Sequence, residues 1–190
     1  MWAQVILVLG LSATALSAGF GSCPEPKVQK DFDLEKFAGT WYLIEATANP
    51  EMLVRKCSQY LVEKKSANKA SLLHKFISTI SQKSKSEFYE FTTDKKEPGK
   101  LEVSPLKGII STLKFPVRVL DTDYDTYAIL YSCKKLFLAY VEEVFIVARA
   151  KTLDDTKKTE LYSILKKKDV SQKALKEVSQ SDKDCKENES

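Results

Sequence analysis

Few residues of this chain have side chains that could support catalysis or metal binding. His74 is the only histidine among 190 residues, so an imidazole-activated serine or cysteine would depend on it alone. His74 could also ligate a haem iron, but a histidine on a strand that lines a pocket is the simpler interpretation. A catalytic thiol would require an unpaired cysteine. The chain has four cysteines: Cys23, Cys57, Cys133 and Cys185.

The first residues indicate the compartment in which these cysteines act. Residues 5–16 form an apolar run that is too short to span a bilayer, and small residues follow it. This pattern predicts a secretory signal peptide over residues 1–20, followed by a single domain over residues 21–190. In an oxidising compartment the four cysteines would pair, and the residues alone leave three pairings open.

The composition argues against two classes of protein. With 43% hydrophobic and 29% charged residues, the chain is globular rather than disordered. Its net charge of +4 comes mostly from lysines, whereas nucleic-acid-binding surfaces usually cluster basic residues with arginines among them. We therefore expect no nucleic-acid partner. The single histidine also argues against a metal site, and the sequence predicts no cofactor.

Short runs rich in β-branched and aromatic residues recur along the chain, with turn residues between them. They occupy residues 40–48, 57–64, 71–80, 87–93, 100–103, 113–121, 124–133 and 138–148. Eight strands at this spacing predict an all-β antiparallel barrel or sandwich. Residues 153–168 carry an apolar stripe at helical spacing, with acids at the start and lysines at the end. That pattern predicts one α-helix lying on the sheet.

Three short motifs lie at the ends of predicted strands. One is at the start of the first strand, one is between the sixth and seventh strands, and one is at the end of the eighth. Their residues are Gly39, Trp41, Thr122, Asp123, Tyr124 and Arg149. In this order they resemble the signature of the lipocalin family, over the whole of the predicted domain. The cysteine positions most resemble the branch of apolipoprotein D and the insect bilin-binding lipocalins. The resemblance implies an eight-stranded antiparallel up-and-down barrel with one C-terminal α-helix packed on its outside.

The resemblance also implies a disulfide pairing and a function. The implied pairs are Cys23–Cys133 and Cys57–Cys185, which would leave no thiol for catalysis. The implied function is that of a secreted carrier, not an enzyme, which holds a small hydrophobic ligand such as a bilin, retinoid, sterol, fatty acid or pheromone. Two alternatives stay open at this point. One is a lipocalin-fold isomerase, and the other is a haem-binding lipocalin that uses His74.

Strand direction predicts where the motifs lie. Adjacent strands of an up-and-down barrel run in opposite directions, and the first and last strands become neighbours when the barrel closes. Trp41, the Thr122–Tyr124 turn and Arg149 therefore meet at one end, which we call the closed end. There we expect Arg149 to stack on Trp41 and Asp123 to cap the turn. The opposite end, called the open end, would carry Cys57 and Cys133.

Alternation along the strands predicts which side chains face the barrel cavity. The motif residues indicate the interior face of the first and eighth strands, and the pattern and size of side chains indicate it on the third, sixth and seventh. The predicted ligand-binding residues are Leu43, Glu45, Phe76, Phe115, Val117, Val119, Ala128, Leu130, Ser132 and Phe145. Apart from Glu45, His74 and small hydroxyl groups, this cavity would be apolar and would suit an elongated or ring-shaped molecule.

The turn between the last two strands has an unusual composition. Paired positions in an antiparallel hairpin have residue numbers with a constant sum. Asp123 and Arg149 are expected to lie near each other across the last two strands, which places the tip near residue 136. The tip therefore carries Leu136, Phe137 and Leu138 behind two lysines, without the Gly, Asn, Asp or Pro that an exposed turn normally has. Two interpretations remain open. The three residues cap the pocket or fold against a neighbouring loop, or they contact a lipid or lipoprotein surface.

Overall fold

The structure is a computed structural model that describes residues 18–107 and 113–186. It contains ten strands and three helices within these ranges. The strands are β1 (Ala18–Phe20), β2 (Gly39–Thr47), β3 (Arg55–Ser66), β4 (Lys69–Ser78), β5 (Ser84–Thr93), β6 (Lys100–Pro105), β7 (Phe115–Thr122), β8 (Tyr127–Leu136), β9 (Ala139–Ala148) and β10 (Leu175–Glu177). The helices are α1 (Leu34–Phe37), α2 (Pro50–Leu53) and α3 (Asp155–Lys167).

Strands β2 to β9 form the predicted eight-stranded barrel. Each pairs antiparallel with the next along the chain, and β9 pairs back with β2 to close the sheet. Closure places Tyr42 opposite Ala148 and Leu43 opposite Val147. All eight strands inferred from the sequence are confirmed, with boundaries shifted by a few residues. A closed barrel leaves none of these eight strands as a free edge.

The two three-residue strands were not predicted, because neither is long enough to show a hydrophobic period. Strand β1 pairs with β9, and β10 pairs with β2, in both cases toward the open end. Residues 1–17 of the predicted signal peptide lie outside the described residues, so that prediction stays a prediction. Cleavage after residue 20 would remove β1 from the mature protein.

Helix α3 lies on the outside of the barrel, as expected. The Asp154 side chain accepts a hydrogen bond from the Lys157 backbone N–H at 2.7 Å, which caps the first turn. Leu161 and Leu165 are fully buried in a cluster with the outward side chains of β8 and β9, including Tyr131. This second core fixes α3 against one wall. No helix in the described ranges is long and apolar enough to cross a membrane.

Two disulfides fasten the chain termini to the open end. They join Cys23 to Cys133 and Cys57 to Cys185, as the family resemblance implied. The second bond secures a C-terminal segment that also packs through Val178, which is buried. Within the same segment, Gln180 donates from its side-chain amide to the Leu43 and Ser58 carbonyls at 2.9 and 2.8 Å. The polar tail is therefore ordered by a covalent bond and by buried contacts.

Candidate functional site

The closed end of the barrel is sealed by an aromatic and guanidinium stack. Trp41 is 1% exposed, and its ring nitrogen donates to the Phe37 carbonyl at 2.9 Å. The Phe37 and Trp41 rings stack with centroids 5.1 Å apart. On the other side, the guanidinium carbon of Arg149 lies 3.7 Å from the Trp41 ring centroid. This is the stacking geometry expected from the sequence motifs.

Arg149 also joins three separate segments through backbone carbonyls. Its guanidinium donates to the Tyr124 and Thr40 carbonyls at 2.9 and 3.0 Å, and to the Lys36 and Ala38 carbonyls at 3.0 and 2.9 Å. A planar guanidinium with five donors satisfies such a divergent set, and an ammonium does not.

Gly39 explains the glycine of the first motif. Its φ of +100° lies in a region that L side chains rarely adopt, and an added Cβ would sit 3.1 Å from the Arg149 Nη1 atom. The residue at this position must therefore turn the chain and leave room for the guanidinium.

The turn before β8 is closed by its own side chains. The Asp123 carboxylate accepts from the Thr126 and Tyr127 backbone N–H groups at 2.8 and 3.0 Å. Thr122 donates to the Tyr127 carbonyl at 2.6 Å and accepts from the Tyr124 N–H at 3.0 Å. Burial would raise the pKa of Asp123, but the hydrogen bonds from Thr126 and Tyr127 outweigh it and hold that pKa below its ordinary value. The six motif residues therefore build the closed end.

Above this seal lies a cavity of about 250 Å³ that opens at the other end of the barrel. Its deeper wall is almost entirely apolar, with aromatic and aliphatic side chains from every barrel strand. The deeper lining consists of Phe37, Trp41, Val62, Leu72, Phe91, Leu101, Val103, Phe115, Val117, Leu130, Phe145 and Val147. A cavity of this kind removes an apolar ligand from water on most sides.

Five of the ten predicted ligand-binding residues line this space, and two more share their face below it. Phe115, Val117, Leu130 and Phe145 line the apolar wall, and Ser132 lines it with its hydroxyl donating to the Pro116 carbonyl at 2.9 Å. The other two, Val119 and Ala128, do not line the cavity. Both are completely buried in the core packed below it, toward the closed end.

The remaining three predicted residues lie elsewhere. Leu43 lines a smaller space of about 90 Å³ beside the main cavity. Phe76 is buried beneath Arg55, whose guanidinium carbon is 4.6 Å from the Phe76 ring centroid, and it does not reach the cavity surface.

Glu45 was predicted to face the cavity, and this orientation is wrong. A β-bulge in β2 inserts Ile44 between Leu43 and Glu45 in the pairing with β9, which reverses the alternation beyond it. Glu45 therefore points outward beneath α3, where its carboxylate accepts hydrogen bonds from the Tyr162 hydroxyl at 2.7 and 2.9 Å. The interior of β2 near the open end is consequently apolar.

Charged and aromatic side chains surround the open end of the cavity, a feature that the sequence analysis missed. We call this set the polar collar. It consists of Glu51, Arg55, Tyr60, His74, Glu87, Tyr89, Lys134 and Glu143. Tyr60 and Tyr89 could have been found from alternation with Val62 and Phe91. The inward direction of Glu87, Lys134 and Glu143 follows from the same alternation, whereas their ion pairs form only when the barrel closes.

Arg55 is the centre of the collar. Its guanidinium pairs with Glu87 at 2.9 Å and with Glu51 at 3.3 Å. On the opposite side of the opening, Lys134 pairs with Glu143 at 3.4 Å. The Asn49 side chain also donates to Glu143 at 3.0 Å.

His74 is held between two partners within the collar. Its Nε2 atom lies 3.2 Å from the Ser58 hydroxyl, and its Nδ1 atom lies 3.5 Å from a Glu87 carboxylate oxygen. Burial lowers the pKa of His74 below its ordinary value, more strongly than Glu87 raises it. The hydrogen bond from His74, together with Tyr89 and Arg55, lowers the pKa of Glu87 to about 2. The histidine is thus neutral beside an ionised carboxylate, and a haem iron would have to displace one of its partners.

Exposed apolar side chains are concentrated at the same end of the barrel. In the described ranges, every large hydrophobic side chain that is exposed lies on an open-end loop, on an adjoining strand end, or on the outer wall beside one. The members of this set that follow the predicted signal peptide form what we call the apolar rim: Leu53, Ile80, Phe88, Leu106, Leu113, Leu136, Phe137 and Leu138. Phe137 is 88% exposed at the tip of the β8–β9 hairpin and has a φ of +55°. The tip therefore does not cap the pocket.

Comparison with known proteins gives matches over most of the chain. The sequence profile of the Lipocalin / cytosolic fatty-acid binding protein family matches residues 38–182. Apolipoprotein D of Cavia porcellus is 32% identical over 163 residues, covering 84% of both chains. Insecticyanin-A of Manduca sexta is 31% identical over 166 residues, covering 77% of this chain and 78% of the relative.

Solved structures agree on the fold. The structure of insecticyanin from Manduca sexta superposes with a TM-score of 0.80 at 23% identity, over 91% of this chain and 94% of that chain. Lobster apocrustacyanin A1 superposes with a TM-score of 0.72 at 20% identity, over 88% and 93% of the two chains. Taken with the closed eight-stranded barrel and the Trp41–Arg149 seal, these matches show that the chain belongs to the Lipocalin / cytosolic fatty-acid binding protein family.

Proposed function

We propose that this protein is a secreted carrier that holds one small hydrophobic molecule in its barrel cavity. The observation that carries the proposal is the apolar cavity of about 250 Å³, which is sealed at one end by Trp41 and Arg149 and open at the other. A ligand inside it exchanges water for aromatic and aliphatic contacts, which favours binding by the hydrophobic effect. The size suits one slender or compact molecule.

Secretion is supported by the cysteines and by the first residues. Both disulfides join segments more than 100 residues apart, and bonds of this kind persist in oxidising compartments. Residues 5–16 have the apolar run of a signal peptide. Peptide mapping and N-terminal sequencing of protein secreted from a eukaryotic host would give the cleavage site and the disulfide pairs. Retention in the cytosol would contradict secretion.

A carrier is favoured over an enzyme because the described residues offer no activated nucleophile of the kind the thiol mechanism requires. All four cysteines are in disulfides. An isomerase that uses a pocket thiol would need one of them free. Titration of the native protein with a thiol reagent should consume none, and one reactive thiol per chain would reopen the enzymatic alternative.

The carrier function is tested by filling the cavity. Val117→Trp places an indole on the cavity wall and should weaken binding of the neutral fluorescent probe N-phenyl-1-naphthylamine by about tenfold or more, through steric exclusion. Leu73→Trp is the matched control, since Leu73 lies between two cavity-lining residues of β4 and so faces outward. Urea unfolding of both variants would separate lost binding from lost folding. Unchanged probe affinity in Val117→Trp would contradict the proposal.

We further propose that the carrier exchanges its ligand at a lipid or lipoprotein surface through the apolar rim. Phe137 and Leu138 are largely exposed at the hairpin tip, and Lys134 and Lys135 precede them at the end of β8. Apolar residues next to lysines are the combination that inserts into an anionic lipid interface. Because the rim surrounds the cavity opening, such contact would bring the ligand directly to the lipid phase.

Vesicle flotation tests the lipid contact. Wild-type protein should float with phosphatidylcholine vesicles that contain phosphatidylserine, and the double variant Phe137→Ser, Leu138→Ser should float less. The control is Lys95→Ser, Lys96→Ser, because these exposed residues lie on a turn at the closed end. Equal flotation of wild type and the rim variant, or flotation of neither, would remove the lipid contact and leave a freely soluble carrier.

A further inference from the structure

The polar collar contains no excess of positive charge with which to bind an acidic ligand. Its two permanent cations, Arg55 and Lys134, face three carboxylates. Both cations are already paired, Arg55 with two of the carboxylates and Lys134 with the third. His74 adds no positive charge at neutral pH because its burial disfavours protonation. The collar therefore has one more carboxylate than permanent cations, so an entering carboxylate would meet a net negative charge.

One phenol hydroxyl of the collar, that of Tyr60, has no hydrogen-bond partner among the described residues. In the part of the chain that the structure describes, every fully buried polar side-chain atom has a hydrogen-bond partner. Tyr60 makes no hydrogen bond through its hydroxyl there, so this group must be accessible from the cavity that the residue lines. Its ring stacks on His74 with centroids 4.5 Å apart, which fixes its direction. Burial raises the pKa of Tyr60, so it stays a neutral phenol.

From these two observations we infer that the cavity selects a neutral ligand with one hydrogen-bond-accepting end group, an alcohol or a carbonyl, over the corresponding carboxylate. The apolar body would occupy the deeper wall, and the end group would accept the hydrogen bond of Tyr60 at the collar. A carboxylate of the same skeleton would accept that hydrogen bond too, but its charge would either break an existing ion pair or remain unpaired. Either outcome costs more free energy than the hydrogen bond contributes. The inference rests on the proposed carrier function.

Three retinoids that share one skeleton test the selection: retinol, retinal and retinoate. At about pH 8, where retinoic acid is ionised and His74 is neutral, we expect retinol and retinal to bind about tenfold more tightly than retinoate, because only retinoate brings a charge. Binding would be followed by quenching of tryptophan fluorescence, because Trp41 lines the cavity.

Two single substitutions should move the selection in opposite ways. Tyr60→Phe removes the free hydroxyl and should weaken retinol and retinal about fivefold, with a smaller change for retinoate. Glu51→Gln removes one carboxylate from Arg55, and this side chain is 75% exposed, so the fold should be unaffected. That variant should strengthen retinoate binding about threefold relative to retinol.

The results separate this inference from the carrier function. Retinoate binding as tightly as retinol or more tightly, or a Glu51→Gln variant that leaves the preference unchanged, would overturn the selection while leaving a carrier. Failure of the protein to bind either the retinoids or N-phenyl-1-naphthylamine would overturn the carrier function and the inference with it.

Discussion

The closed and open ends of the barrel are built from the same eight strands but differ in how their polar and apolar groups are treated. At the closed end, Arg149 donates to four backbone carbonyls, and Trp41 is buried between aromatic and cationic neighbours. At the open end, charged residues surround a cavity, and large apolar side chains point into solvent. The closed end satisfies its groups internally, whereas the open end leaves groups available to a ligand or a surface.

This difference divides stability from binding along the barrel axis. Packing and directed hydrogen bonds hold the closed end, and Arg149 contributes to them without lining the cavity. The open end contains the cavity opening and is held by two disulfides, which restrain it without filling it. A cavity needs such an arrangement, because side chains that filled the space would stabilise the barrel and exclude the ligand. Substitutions at the two ends should therefore have separable effects.

The largest effect is expected at the open end, from Cys57→Ser, Cys185→Ser. The bond spans 128 residues, and its loss should lower the free energy of unfolding by about 4–5 kcal/mol in the chain-entropy treatment. Urea denaturation measures the change, and limited proteolysis should show cleavage of the released tail. The control, Cys23→Ser, Cys133→Ser, opens a span of 110 residues and should destabilise similarly with the tail intact. A loss below about 1 kcal/mol in both variants would show that contacts, not the bonds, hold this end.

At the closed end, Trp41→Ala should lower the free energy of unfolding by about 3–5 kcal/mol, since it removes a buried aromatic ring and leaves a cavity. Thermal or urea unfolding measures this. Trp41→Phe keeps a ring beneath the guanidinium and should recover part of the loss. Equal stability of Trp41→Ala and wild type would mean that the seal is not a structural element.

Arg149→Ala should cost about 1–3 kcal/mol of unfolding free energy, because several carbonyls lose their donor. Arg149 does not line the cavity, so the folded variant should bind N-phenyl-1-naphthylamine with wild-type affinity. Arg149→Lys should recover less than half of the lost stability, because an ammonium cannot reach the divergent carbonyls. An unchanged unfolding curve together with lost binding would contradict the separation of the two ends.

The smallest expected effect is a loss of stability at acidic pH. His74 has a lowered pKa in the folded protein, so below its unfolded value of about 6.5 the unfolded chain takes up a proton that the native protein does not. Stability should therefore fall as pH decreases from about 6.5, with a slope of at most about 1.4 kcal/mol per pH unit from this group. Urea unfolding between about pH 8 and 5.5 measures it. The slope should be smaller in His74→Gln, and an equal slope would assign the acid sensitivity to other groups.

Sequence periodicity was sufficient for the strands and the helix, and the family resemblance implied a barrel rather than a sandwich, but neither placed every side chain of the site. The eight barrel strands and α3 follow from local alternation and helical spacing, which tertiary contacts do not change. The predicted orientation of Glu45 is wrong because the β-bulge at Ile44 arises only in the pairing of β2 with β9 and does not alter the sequence pattern. Val119 and Ala128 were assigned to the correct face, but their depth along the barrel axis depends on how the closed end is packed.

The sequence by itself determined the eight strands, the helix α3 and the position of the apolar hairpin tip, because each depends on residues close together in the chain. Only the tertiary structure decided the composition of the cavity opening. Arg55, Glu87 and Glu143 lie on three different strands, and barrel closure is what brings their charges around one space. The physical reason is that periodicity reports the direction of a side chain relative to its own strand, whereas charge pairing depends on distances between strands that only closure fixes.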